Sequence, residues 1–427
     1  MGLTHRLGTA LLAGALSLPA WAVEITISCG AVGEEREFCE QAARSWAEET
    51  GNTVYIDVPP EATNERYFAY LLDLGDGVDS VDVYQIDVIW PGLLARHFVD
   101  LREYLPDEVI DAHYPTMIAN NTVDGRLVGM PWYTDVGLLF YREDLLEQYG
   151  FEVPTEWSEM ADMALAIQLA EREAGRNGLW GYVFQGAPYE GLTCNVLEWV
   201  ASYGGGTVVN DDGEITINNP MATVAISRAA GWVGTIAPER VVNYREEDAR
   251  IHFQQGNAVF MRNWPYAWAL LNSDDSPVQG RVGVAALPRG GLRGHSVATL
   301  GGWQLAVSRY SRHPAEAADL VRYLSSAGVQ RTRAIEGSYA PTIPALYDAP
   351  EVLAANPLFG ELSGILENAV ARPTASTGEH YMAVSTRLWE AVNYVMLGAT
   401  SARESLSQLE DQLRLIMARD NRQAAAQ

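Results

Sequence analysis

The stretch LGGWQLAVS, residues 300–308, decides how the chain is divided. Two glycines, which carry no side chain to pack, lead into Trp303 and an alternating apolar run that reads as a strand. It ends a long helical block. TEWSEMADMALAIQLAERE (155–173), with Thr155 as its cap, and YEGLTCNVLEWVAS (189–202) have helical spacing, and helical patterns dominate to residue 281. RVGVAALP (281–288) and WQLAVS (303–308) then return to strand character. Upstream, EITISCG (24–30), TVYIDV (53–58) and VDVYQIDVIW (81–90) read as strands, with helical patterns at 34–50 and 64–74 between them. That alternation predicts βαβ units and a mainly parallel sheet. RLVGMPWYTDVGLLFYR (126–142) reads as two strands joined through Pro131, and the tail (380–398, 402–418) as helices. Strand-rich blocks on both sides of a helix-rich one predict an α/β protein of two lobes, crossed more than once by the chain.

The composition narrows the function. The 427 residues suffice for two domains, and 48% are hydrophobic, enough for substantial cores. Arg6, the apolar run Leu7–Leu18 and AWA (20–22) form a secretory signal peptide, residues 1–22, cut after Ala22. No cysteine stands at the cleavage site, so no lipid anchor is expected, and the location read is periplasmic. The net charge of -26 disfavours nucleic acid as a partner. Every basic residue except the histidines is arginine, so chemistry that needs a lysine amine is excluded. Of Cys29, Cys39 and Cys194, at least one stays unpaired. Three small buried residues are the preferred reading over a Cys29–Cys39 bridge, which needs a strand end packed on the next helix.

Catalytic patterns are missing. The seven histidines include no HExxH pair, no GxSxG elbow occurs, and no cysteine spacing suits a metal. No catalytic residue, metal or cofactor is assigned. Carboxylates suited to a glycosidase pair are plentiful, but in so acidic a chain neighbouring acids arise by chance. The aromatics are more informative: 12 Trp and 20 Tyr against 9 Phe. A pyranose packs its C–H faces on indole and phenol rings and offers its hydroxyls to carboxylates, amides and arginine. IDVIW (86–90), PWYTD (131–135) and RNWPYAW (262–268) supply both kinds of residue. Trp46, Trp157, Trp180, Trp199 and Trp389 fall at core spacing.

YQIDVIWPGLL (84–94), MPWYTDVGLLFYREDLLEQYG (130–150), YEGLTCN (189–195), FQQGNAVFMRNWPYAW (253–268), VGVAALP (282–288), LGGWQLAVS (300–308) and ENAVARP (367–373) follow one another in this order. Together they resemble the extracellular solute-binding proteins of oligosaccharide ABC transporters, the maltose-binding class and its trehalose/maltose branch, over residues 23–418. The resemblance implies a two-lobed periplasmic-binding-protein fold of type II. Its N-lobe would take 23–134 and 282–336, its C-lobe 135–281 and 337–427. It implies a monomer that captures an α-glucoside disaccharide, trehalose- or maltose-like, between the lobes and delivers it to membrane permease subunits. Other glucosides or compatible solutes, such as sucrose or glucosylglycerol, are the alternative ligands, and a secreted glycoside-active enzyme is a remoter one. By position, Glu35, Asp87 and Asp135 resemble the hydroxyl-binding acids and Arg372 a hydroxyl donor. Tyr133, Trp264, Tyr266 and Trp303 resemble ring contacts, Gly301 and Gly302 a close-approach backbone, and Thr63 and Asn64 further N-lobe contacts. Tyr189 and Glu190 stay open between site and scaffold.

Overall fold

The computed structural model describes residues 22–30, 32–291 and 293–418. The expected signal peptide, apart from Ala22, lies outside them. The chain opens as β1 (Glu24–Ser28), α1 (Glu35–Thr50), β2 (Thr53–Asp57), α2 (Thr63–Gly75) and β3 (Val83–Asp87). β1 pairs in parallel with both β2 and β3, as the alternating pattern predicts. Next come β4 (Met130–Val136) and β5 (Leu138–Arg142), then α3 (Trp157–Glu173), β6 (Trp180–Val183), α4 (Glu190–Ser202), α5 (Pro220–Trp232) and α6 (Glu246–Gln254). β7 (Ala258–Asn263), β8 (Val282–Ala285), β9 (Leu300–Val307), α7 (Pro314–Leu324), α8 (Ala327–Gly337), α9 (Tyr381–Met396) and α10 (Ala402–Met417) complete the main elements. The caps differ from expectation at α3: Glu156 precedes the helix, and Thr155 instead donates to Glu159.

Two sheets result, ordered β2-β1-β3-β9-β4 and β8-β5-β7-β6. Each has its own apolar core. Ile25, Ile27, Ile86 and Leu305 meet Trp46 and Leu320 on the first. Phe140, Tyr182 and Phe260 meet Trp157, Trp199 and Trp232 on the second. Trp180 and Trp389 are half-buried at the margin of the second body. The sheets are mixed rather than mainly parallel: β9 runs antiparallel to both β3 and β4, because it enters from the other sheet.

The passages between sheets correct the expected boundaries. β4 runs unbroken through Pro131, Thr134 and Asp135, and the change of sheet falls on Gly137. Residues 282–336 do not all join the first sheet. Val282 pairs with Arg142 and Ala285 with Leu139, so β8 closes the edge of the second sheet, and the return passage lies between Ala285 and Leu300. A Cβ on Gly137 would collide with Glu198 Oε1 and stand 2.6 Å from Arg262 Nη2. Those two side chains form an ion pair at 2.5 Å, both fully buried. Glu198 Oε1 also accepts from the Thr299 amide at 3.1 Å, just before β9. One ion pair thus braces both passages.

Cys29 and Cys39 are joined in a disulfide, against the preferred reading, while Cys194 is free and buried. The turn after β1 explains it: Gly30, at φ 79°, folds the chain back so that the strand end meets α1. Replacing both Cys29 and Cys39 with Ser removes a closure over 10 residues. The expected loss is about 2–3 kcal/mol, read as a lower Tm that reductant no longer changes.

Candidate functional site

The register of β9 builds one wall. Trp303 pairs with Asp87 on one side and with Tyr133 on the other. Paired residues share a face, so Asp87, Trp303 and Tyr133 form a row across three strands. Asp135, two residues beyond Tyr133, joins the same face and pairs with Gly301. Gly302 has φ 126°, and a Cβ there would stand 2.7 Å from the Tyr133 carbonyl oxygen. At Gly301 a Cβ would meet the Asp135 Cβ at 3.0 Å and the Trp264 ring at 3.2 Å. Both glycines are therefore required by their neighbours in the fold, a reason the sequence does not reveal. They still line the space between the sheets, as do Asp87, Tyr133, Asp135, Trp264, Tyr266, Trp303, Arg372 and Thr63.

The facing wall comes from the second sheet and its helices. Arg372 donates to Asp87 Oδ1 at 2.5 Å and to Glu190 Oε1 at 3.1 Å, linking a strand end of the first sheet to the first residue of α4. Ser385 and Tyr381 also donate to Glu190. Trp264 Nε1 reaches Glu246 at 3.4 Å, and the Tyr189 hydroxyl donates to the same carboxylate at 2.5 Å. Tyr266 follows a strand of the second sheet but packs in the first core, stacked on Tyr339 with 18° between the rings. The cavity left between these walls measures about 60 Å³.

Two expected residues stand behind this surface. Glu35, fully buried, accepts from Gln85 Nε2 at 2.5 Å and from the Tyr133 hydroxyl. Asn64 does not line the space, and its Oδ1 is buried without a hydrogen-bond partner among the described residues. Glu190, left open from the sequence, lines the space, as do Glu61, Glu246 and Tyr339, which sequence reasoning missed. Glu246 stands in the acidic run EED, where nothing marks one acid from the next.

Burial governs the charges here. It pushes the Asp135 carboxyl well above its ordinary value, Glu35 adds to this, and Asp135 Oδ1 has no hydrogen-bond partner among the described residues. Burial also raises Glu190, against the pull of Arg372. Glu61 is raised by burial and then by Glu246 across the space. The arrangement offers charged acceptors, donors and flat rings around one volume, and among the described residues no His/Cys/Asp/Glu group suited to a metal ion.

Two α/β bodies joined by braced passages, with the polar and aromatic residues gathered between them, form the two-lobed fold of periplasmic solute-binding proteins. Residues 33–331 match the family model described as bacterial extracellular solute-binding protein, and the chain belongs to that family. A probable ABC transporter-binding protein of Deinococcus radiodurans is 47% identical over 409 residues, spanning 96% of this chain and 97% of that one. The maltose-bound MalE3 of T. maritima superposes with a TM-score of 0.87 at 38% identity, over 92% of this chain and 100% of the other. The GacH receptor of Streptomyces glaucescens shares the fold at a TM-score of 0.79 and 22% identity, over 94% and 100%.

Arg372→Met leaves Asp87 and Glu190 buried without their shared cation. Its expected cost is about 3–5 kcal/mol. Burial already raises Glu190, so without Arg372 it takes up a proton as pH falls, and the Tm deficit narrows between pH 8 and pH 5.

Proposed function

We propose that this protein captures an α-glucoside disaccharide, trehalose- or maltose-like, between its lobes and delivers it to the permease subunits of an ABC transporter. The observation that carries the reading is the interlobe space lined by Trp264, Trp303, Tyr133 and Tyr266 together with Asp87, Asp135, Glu190 and Arg372. Rings stack on the apolar faces of a sugar, and the charged groups bond its hydroxyls. The similarity to the maltose-bound MalE3 supports a sugar of this kind. No covalent step and no cofactor enters the reading. Glu35 acts from behind by orienting the Tyr133 hydroxyl. The hinge is assigned to Gly137 and the passage before Leu300, which puts β1–β4 and β9 in one lobe and β5–β8 in the other. The mature protein is read as a periplasmic monomer released by cleavage after Ala22.

Tryptophan fluorescence of the mature protein, titrated with trehalose, maltose, sucrose and glucosylglycerol and with an amino acid as control, tests this. Saturable binding of trehalose or maltose without released glucose is the expected result. Saturation by sucrose or glucosylglycerol alone moves the ligand to the compatible solutes, and a flat response to all four ends the α-glucoside reading. Trp264→Ala is expected to weaken the bound sugar by about 2–3 kcal/mol, and an unchanged isotherm removes Trp264 from the site.

A further inference from the structure

Four rings that line the interlobe space, Trp264, Trp303, Tyr133 and Tyr339, each carry a buried arginine. Arg262 lies 3.8 Å from the Trp264 centroid, Arg66 4.4 Å from Trp303, and Arg333 4.6 Å from Tyr133. The rings line the space and the arginines do not. Arg262 is explained by its bond to Glu198. Arg333 has no such explanation. It is 2% exposed, and its Nε, Nη1 and Nη2 are buried with no hydrogen-bond partner among the described residues. The guanidinium packs instead on Trp132, at 3.8 Å, and on Tyr133 and Tyr339, each at 4.6 Å.

A buried cation without hydrogen bonds is costly and calls for a compensating charge. The titratable groups that act on Arg333 are Tyr133, Tyr339, Glu35 and Asp135. Asp135 in turn faces Glu35, Asp87, Arg262 and Arg333, and its Oδ1 has no hydrogen-bond partner among the described residues. An arginine that forms a salt bridge occupies the lone pairs of its carboxylate, as Arg372 does with Asp87. A charge set behind a ring acts through the low-dielectric interior and leaves those lone pairs vacant.

We propose that Arg333 is a positioning residue whose charge, acting across Tyr133, favours the carboxylate form of Asp135 while leaving its oxygen open to a ligand hydroxyl. The ligand in this statement rests on the sugar-binding reading; the charge coupling does not. Burial raises the Asp135 carboxyl, and Arg333 pulls it back down. Because the folded value lies above the unfolded one, ionising Asp135 costs stability as pH rises. Without Arg333 the folded value climbs further, and the cost at high pH grows.

The test needs no ligand at first. Tm is measured at pH 5 and pH 8 for wild type, Arg333→Met, Asp135→Asn and the double variant. The deficit of R333M is expected to widen at pH 8, and D135N in the same chain to abolish the widening. A deficit equal at both pH values overturns the proposal, since packing alone would give it. Should R333M not fold, the double variant decides: recovery of folding supports the coupling, and failure of both overturns it. Arg333→Lys, which keeps the charge, is expected to show the wild-type pH dependence; the R333M dependence instead would overturn it. Maltose affinity by tryptophan fluorescence then separates the two readings. R333M is expected to bind maltose roughly tenfold more weakly at pH 7, a ratio equivalent to about 1.4 kcal/mol, because the acceptor is less often ionised. If wild type ignores every sugar while the Tm cycle holds, the sugar reading falls and the coupling stands.

Discussion

The pair of Arg262 and Glu198 fixes how the two bodies of this protein meet. Both side chains are fully buried, bonded to one another and hemmed in by Gln185 and by the Thr299 amide. Taking two charges out of water costs several kcal/mol per ion before their attraction is counted. Such a pair is a poor way to add stability and a good way to specify one arrangement. Glycine at 137 is the counterpart, because any side chain there would collide with the pair. The first passage must therefore run tight beside it, while the second is held through the Thr299 amide. β9 begins one residue beyond that anchor and carries Trp303 into its row with Asp87 and Tyr133.

Much of the fold is legible in the residues, and the exceptions share a cause. β1, β2 and β3 are short apolar runs separated by amphipathic helices, a pattern local enough to read. β8 shows the same apolar character, but no local pattern says which sheet an edge strand will close. The Cys29–Cys39 bond turns on a backbone reversal at Gly30, and spacing alone carries no information about it. In the site, Asp87, Tyr133, Trp264, Trp303 and Arg372 stand in motifs dense in aromatic and charged residues, and those motifs meet in space. Glu35 reads as part of the surface and lies beneath it, because position along a chain does not distinguish a contact from its support. Glu246 and Tyr339 escape notice for the opposite reason: neither stands in a distinctive motif.

The absence of lysine becomes structurally meaningful in the interior. Guanidinium is planar, weakly hydrated and able to lie flat on an aromatic ring, properties an ammonium lacks. Arg66, Arg262 and Arg333 use that geometry inside the protein, where an acidic chain has few other ways to offset clustered carboxylates.

Arg372 divides its donors between Asp87 on one body and Glu190 on the other. Any motion that parts the two must first strain one of these bonds while it is still dry. Once water reaches the gap, the same pair is worth no more than a surface contact, about 0–1 kcal/mol. Resistance is thus concentrated in the first ångström of travel and vanishes afterwards. A molecule built this way does not swing like a spring with a restoring force that grows with angle. Resistance of this kind works like a catch, and the more exposed pair of Arg245 with Glu65 at 2.9 Å adds a second charged contact between the same two bodies.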